Sequence, residues 1–270
     1  MDLNHYSRQA SRLLHVTRYL LQQYRDAFRS GAEGRSFLTE MYLRAVPESR
    51  RPPDQTGPIP ARRLAELFPG IERVPVQVRA WLDTHEQGGF SEETPYLVAG
   101  EELLALCALV AWRRPRILFE IGTNRGWTCA ALATNSPEAA RILTLDIEEM
   151  PLADAEVSRC FRDRGIVRLR ADSSTFDFSP YHADFVFVDA RHESPWVDRD
   201  TETALRMVRD GGLVVWHDYG PEHPDVVTCL DRLATKVSLC RIAGTSLVVY
   251  RGPPAVSRRR PSTKSGQIES

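Results

Sequence analysis

The 270-residue sequence predicts an α/β fold: a doubly wound, mainly parallel sheet with helices on both faces. Three observations predict it. Short apolar runs of strand length alternate with helical patterns from residue 117 to residue 251. The first of these strands runs directly into a glycine-rich turn. Five successive strands end in polar groups, which loads the carboxyl edge of the sheet, where open α/β sheets bind ligands.

Composition narrows the class. The hydrophobic share is 42% and the charged share 26%, as in ordinary globular chains. The net charge of -1 provides no field to draw in nucleic acid or anionic lipid. No run approaches the roughly 18 apolar residues of a membrane span. Arg8, Arg12 and Arg18 interrupt the N-terminal apolar positions, so no signal peptide is expected there. The five cysteines (107, 129, 160, 229 and 240) form no CxxC pair, which fits reduced thiols in a cytoplasmic protein.

Residues 4–29 carry apolar positions at three- and four-residue steps, the pattern of one amphipathic helix, which Gly31 and Gly34 end. Two readings stay open: a helix that mediates homo-oligomerisation or acts as a lid, and one that packs on its own domain. Five prolines between residues 47 and 60 mark a linker or extended loop. Residues 61–68 read as a short helix ended by Pro69-Gly70, 74–83 are open between strand and helix, and 87–90 are a turn. Ser91 caps a segment carrying Glu92 and Glu93 in its first turn. An apolar helix over 100–112 then stops at Arg113-Arg114-Pro115.

Residues 117–121 form the first strand, Gly122-Thr123-Asn124-Arg125-Gly126 the turn, 128–135 a helix, and 141–145 a second strand closed by Asp146. The two glycines let the backbone turn sharply and a ligand approach the main chain. An acid 20 positions after Gly126 stands where its oxygens accept hydrogen bonds from a ribose. A nicotinamide dinucleotide is the weaker reading, because the fingerprint's last glycine would fall on Trp127.

A helix over 152–164 stopped by Gly165 leads to a third strand, 166–171, ending in Asp172-Ser173-Ser174. A fourth strand, 183–188, ends in Asp189-Ala190-Arg191-His192. Ser194 caps the next helix with Pro195 in its first turn, and Asp210-Gly211-Gly212 ends it. A fifth strand, 213–216, runs into His217-Asp218-Tyr219-Gly220. A helix over 225–235 and a closing pair of strands, 236–242 and 245–250, complete the pattern. From Gly252 the chain is rich in Pro, Ser and Arg and reads as a disordered tail.

Glu120-Ile121-Gly122-Thr123-Asn124-Arg125-Gly126 resembles the first motif of class I S-adenosylmethionine (SAM)-dependent methyltransferases. The resemblance covers residues 91–251. It divides the chain into a helical extension and Pro-rich linker (1–90), a SAM-binding domain (91–251) and a tail (252–270). It implies a Rossmann-like, seven-stranded sheet whose last strand is antiparallel, with a helix before the first strand covering the cofactor cleft. It also implies that Glu120, Gly122, Thr123, Asn124 and Gly126 hold the methionine end of SAM, Asp146 the ribose, and Asp172 the adenine amino group. The middle glycine of the family's loop is Asn124 here, and Asn tolerates positive φ better than most residues.

The resemblance places the fourth and fifth strands side by side, so that Asp189 and His192 face His217 and Asp218 across the substrate cleft. Two mechanisms follow. In one, a divalent metal such as magnesium sits on Asp189, Asp218 and His217 and orients a substrate hydroxyl toward the methyl sulfonium. In the other, His192 or His217 is a general base, with Asp189 orienting it. The pattern D-x-x-H, then H-D-Y, resembles a subgroup of small-molecule O-methyltransferases. The expectation is O-methylation of a small-molecule hydroxyl, with no nucleic acid and no membrane involved. A metal-dependent hydroxylase of the cephalosporin-hydroxylase type, and a non-catalytic scaffold on the same fold, are the alternatives.

Overall fold

The computed structural model describes residues 57–77 and 100–254. The expected N-terminal helix, most of the Pro-rich linker, the 74–83 segment beyond residue 77, the Ser91 cap and the tail from residue 255 lie outside the described residues. In chain order the elements are β1 (Ala61–Arg62), α1 (Leu64–Leu67), a 3-10 turn (Ile71–Arg73), α2 (Gly100–Arg113), β2 (Ile117–Ile121), α3 (Trp127–Asn135) and β3 (Arg141–Asp146). They continue with α4 (Ala155–Asp163), β4 (Val167–Arg170), β5 (Ala183–Val188), α5 (Trp196–Met207), β6 (Val208–Trp216), α6 (Pro224–Ala234), β7 (Leu239–Ile242) and β8 (Val248–Arg251). The five expected strands are β2 to β6.

They form one eight-stranded sheet in the order β1-β7-β8-β6-β5-β2-β3-β4. The chain winds outward from β2 in one direction and from β5 in the other, which puts the topological switch point between these two strands. All strand pairs are parallel except those of β8, which runs antiparallel to β6 and to β7. The eighth strand is unforeseen: Ala61–Arg62 pairs with Arg241–Ile242, where a short helix beginning at residue 61 was expected. The helix starts only at Leu64.

Alternation along each strand builds two cores. Leu118, Phe185, Phe187, Leu213 and Val215 point to one face and pack with α2, α3 and α4. Phe119, Ile121, Val186, Val188, Val214 and Trp216 point to the other and pack with α5 and α6. Helix α2 buries Leu103, Leu104, Leu106, Cys107, Leu109 and Val110, so nearly its whole circumference is inside. It stops where Arg114 takes φ 51 before Pro115. Two local expectations are corrected. Ser194 does not cap α5; its hydroxyl donates instead to Asp198 Oδ2 at 2.8 Å, and Pro195 holds the cap position. Asp210-Gly211-Gly212 does not end the helix either, because α5 stops at Met207 and the glycines lie within the nine-residue β6.

At the amino ends of the strands Asp184 acts as a clamp. Its Oδ2 accepts from the backbone N–H groups of Arg116 (2.8 Å) and Ile117 (3.1 Å), with Arg113, Arg116 and Arg209 each at 3.8 Å from the carboxylate. At the carboxyl ends the register brings the functional residues into a row. Ile121 pairs with Val188, and Val188 with Trp216. One residue further on, Gly122 N donates to Leu145 O (2.8 Å), Asp189 N to Ile121 O (2.8 Å) and His217 N to Val188 O (3.1 Å). The polar residues that the sequence sets after each strand therefore stand side by side across the switch point.

Candidate active site

A cleft of about 590 Å³ opens above this row. Gly122, Thr123 and Asn124 line one end with Asp146, Asp172 lines another part, and Asp189, His192, His217 and Asp218 line the rest. Two of the expected cofactor residues, Glu120 and Gly126, are not on its wall. Glu120 is fully buried beneath the loop, where Thr144 Oγ1 donates to its Oε2 at 2.5 Å. Burial pushes its carboxyl up to about 8, so it holds a proton at neutral pH. Gly126 packs on Leu152 and Phe161. An added Cβ at Gly122 would meet the Asp189 main chain, so this glycine lines the cleft and also packs on the neighbouring strand end.

Asp146 organises the loop. Its Oδ2 accepts from Thr123 N (2.9 Å) and Asn124 N (2.7 Å), and its Oδ1 from Glu148 N (3.1 Å). A carboxylate offers about four lone-pair sites, so acceptor capacity remains for a ribose hydroxyl. Asn124 takes φ 46, as its residue type allows. Asp172 Oδ1 accepts from Ser174 N (2.8 Å) in an Asx turn, which holds its carboxyl below the usual range.

The second half of the site is a ring of four donor atoms. His192 Nε2 lies 2.8 Å from Asp218 Oδ2, which lies 3.0 Å from His217 Nδ1, which lies 3.1 Å from Asp189 Oδ1, and 3.9 Å separates Asp189 Oδ1 from His192 Nε2. The His192 Nε2 atom is buried and completes no hydrogen bond in spite of the short contact. His217 Nε2 faces Glu102 Oε2 at 2.9 Å. Glu102 Oε1 accepts from Ser246 N (2.6 Å), and the Ser246 hydroxyl accepts from Asp218 N (3.2 Å). Asp218 itself takes φ 61, a left-handed conformation that Asp tolerates better than most residues.

Asp189, His217 and Asp218 offer one ligand atom each within 4.8 Å of one another, a spacing that could hold a metal ion. Spacings near 3 Å are those of neighbouring ligands around a small ion with bonds of about 2.1 Å. A His217 Nε2–H donated to Glu102 would leave Nδ1 as a lone-pair donor, the carboxylate–histidine support common behind metal ligands. A second group also meets the spacing of a site, His192, Asp218 and His223.

Without a metal the carboxylates hold protons on the imidazoles. The Asp189 and Asp218 carboxylates beside it raise His192 to about 9 in spite of burial. Burial pulls His217 down, but Asp189, Asp218 and Glu102 outweigh it and hold it well above its ordinary value. Burial pushes Asp189, Asp218 and Glu102 up, and the imidazoles more than reverse this. The acids around His192 and His217, the two expected bases, favour the charged form of each ring. The signs give a prediction. A raised His contributes stability that is present below its unfolded pKa near 6.5 and lost as pH rises through about 9. The lowered acids contribute stability present above about pH 4 and lost on acidification. The metal-free protein should melt about 2–6 °C lower at pH 9.5 than at pH 6.5. The increase in melting temperature caused by added manganese should grow over the same interval, since metal and protons compete for the ring. A metal-induced shift independent of pH would show that the ion binds elsewhere.

Glu102 and His223 were not singled out by the sequence. Glu102 follows Glu101 in the first turn of an otherwise apolar helix, and this pair of acids was the available signal. His223 follows the turn at Gly220 and stands with its ring 4.2 Å from that of His192 and its Nε2 3.7 Å from Asp218 Oδ1. Tyr219, third in the H-D-Y pattern, turns away: it is buried and donates to Asp231 Oδ1 at 2.6 Å.

Residues 119–219 match the family described as a methyltransferase domain, and this span runs from the middle of β2 to Tyr219. No curated protein matches the sequence. Similar solved structures include the O-methyltransferase TomG from Streptomyces achromogenes, in complex with SAM (20% identity, 64% of this chain and 86% of that one, TM-score 0.47). An O-methyltransferase from Bacillus cereus with SAH shows 16% identity over 57% of this chain and 81% of that one, at a TM-score of 0.44. A SAM-dependent O-methyltransferase from Thermotoga maritima shows 12% identity over 60% and 68%, at 0.47. Among the described residues no helix is long and apolar enough to cross a membrane. The match at 119–219 to a methyltransferase domain thus falls on the strands and loops of the doubly wound sheet that line the cleft.

Proposed function

We propose that this protein transfers the methyl group of SAM to a hydroxyl of a small molecule, with a divalent metal held by Asp189, Asp218, His217 and His192. The observation that carries the proposal is the closed ring of four donor atoms beside the cofactor loop, with an orphaned imidazole nitrogen in it and Glu102 behind it. Two imidazoles and two carboxylates suit a borderline ion such as manganese, cobalt or zinc better than magnesium, which prefers oxygen ligands. This departs from the magnesium expectation for the reason that His217 and His192 stand where the magnesium enzymes of the family would need hard oxygens.

When bound, SAM supplies an electrophilic methyl on a sulfonium, and the metal supplies a lowered pKa and a fixed orientation for the acceptor hydroxyl. The chain's own residues do the rest. The loop 122–124 and Asp146 position the amino-acid and ribose parts of the cofactor. Glu102 fixes the His217 tautomer, and Ser246 ties Glu102 to the backbone of Asp218. The row of strand ends keeps the ring and the loop at adjacent positions, so positioning provides much of the rate. His223, outside the ring, is the imidazole left to take the hydroxyl proton.

Calorimetric titration with S-adenosylhomocysteine tests the cofactor half. Wild type is expected to bind it, and Asp146→Ala to weaken binding at least about tenfold, since it removes both the ribose acceptor and the loop's anchor. Stripping metal with a chelator should leave this binding in place and abolish methyl transfer, with manganese restoring it. Binding to neither ligand nor metal would sink the proposal. The His192, Asp218 and His223 group is the one observation favouring the hydroxylase alternative, because two His and one carboxylate is the donor set of non-haem iron oxygenases. Iron(II) binding without any binding of S-adenosylhomocysteine would favour it.

A further inference from the structure

One group on the cleft wall has no part in the reading above. Asp200, on the second turn of α5, is 1% exposed and lines the cleft. Neither of its carboxylate oxygens has a hydrogen-bond partner. It stands at the end of the cleft formed by Asp172, Ser173 and Trp196. One helical turn away, the Trp196 ring carries the Arg191 guanidinium at 4.6 Å. A buried carboxyl without a partner is costly, and folded proteins retain very few such groups.

We propose that Asp200 is a second recognition residue for the base of the bound cofactor, accepting a hydrogen bond from its exocyclic amine alongside Asp172. The inference rests on the SAM-dependent reading of the cleft. An amine offers two N–H donors, and two acids from different elements, the loop after β4 and helix α5, provide one acceptor each. Asp172 accepts from Ser174 N through Oδ1, and a carboxylate has further acceptor capacity beside that bond. The same pair would reject a base carrying an oxo group at that position, since a carbonyl facing two carboxylates leaves every oxygen unpaired. The environment agrees with a group waiting for a donor. Burial raises the Asp200 carboxyl to about 6, Ser173 offsets part of that without completing a hydrogen bond, and the Asp172 charge adds to it.

The test is titration of wild type, Asp200→Asn and Asp200→Leu with S-adenosylhomocysteine and with its deaminated analogue S-inosylhomocysteine, each variant also being melted without ligand. Wild type should bind the adenosyl compound at least about 100-fold more tightly than the inosyl compound. Both variants should lose at least about tenfold in affinity for the adenosyl compound, and Asp200→Asn should narrow the discrimination because its amide can donate to the oxo group. Without ligand, both variants should melt at the same temperature as wild type or about 2–6 °C higher, because they remove an uncompensated buried carboxyl. A structural role for Asp200 predicts the opposite, a lower melting temperature with unchanged discrimination, and that result overturns the proposal. Variants that bind S-adenosylhomocysteine as wild type does also overturn it and leave the methyltransferase reading standing. Wild type that binds neither compound removes both.

Discussion

Asp218→Asn is expected to lower methyl transfer by at least about a thousandfold while the protein stays folded. Asp218 faces three imidazoles: Oδ2 lies 2.8 Å from His192 Nε2 and 3.0 Å from His217 Nδ1, and Oδ1 lies 3.7 Å from His223 Nε2. Removing its charge takes away one anionic ligand and the group that holds His192 in place. Asn is the informative replacement because it tolerates the φ of 61 that Asp218 adopts, so backbone strain does not confuse the result. Manganese affinity measured by titration should fall in step with the rate. Glu102→Gln provides the graded comparison. It keeps the shape behind His217 and loses the charge, and arrangements of that kind cost 10–100-fold in metal affinity or activity. If Asp218→Asn kept a tenth of wild-type activity, the ring would be a structural ion-pair cluster and the metal reading would fail.

The fold was legible because the strands announce themselves. Ala183–Val188 is buried along its whole length and reads as an unbroken apolar run, and Asp146, Asp172, Asp189 and His217 mark where strands stop. Two things were not legible. Ala61–Arg62 forms a strand only because β7 offers an edge, and a two-residue pairing leaves no periodicity to read. Asp210-Gly211-Gly212 looks like a helix stop, yet Gly212 is within a strand where a Cβ would meet Val208 Cγ2 at 2.7 Å and Arg209 O at 2.9 Å. Local propensity gave way to close packing there.

In the site, the residues following the strands could be named from sequence, since topology fixes where strand ends lie. Their roles could not. His192 in D-x-x-H suggests a base, but protonation depends on the two carboxylates that the fold places around it, one of them 26 residues away at Asp218. Glu102 reaches His217 across 115 positions of sequence, a distance no motif spans. Asp200 was invisible for the opposite reason. It looks like one more acid on an amphipathic helix, and only burial shows that it faces inward with nothing to bond to.

Gly122→Ala is expected to cost about 4 kcal/mol or more of stability and to stop the protein from accumulating folded at 37 °C. An added Cβ would stand 2.0 Å from Asp189 O, 2.5 Å from Asp189 C and 2.9 Å from Ala190 N, all main-chain atoms that cannot swing aside. The φ of 104 adds strain that L side chains rarely accept. Gly126→Ala should cost less, about 2 kcal/mol, because its Cβ would meet the ends of the Leu152 and Phe161 side chains at 2.8 Å, which have room to adjust. Gly165→Ala, with φ 58 and nothing within 4 Å, should cost only the backbone term of about 1 kcal/mol. Urea unfolding of the three variants checks this order. The order carries a functional argument as well. Were the loop glycines there mainly to admit a ligand, Gly122→Ala would fold normally and lose only S-adenosylhomocysteine binding. Here the missing Cβ lets the loop lie directly on the strand end that carries Asp189, and this contact sets the distance between the cofactor loop and the donor ring. Any variant that survives with this contact opened should therefore lose metal affinity together with cofactor affinity, although residue 122 touches neither Asp218 nor the imidazoles.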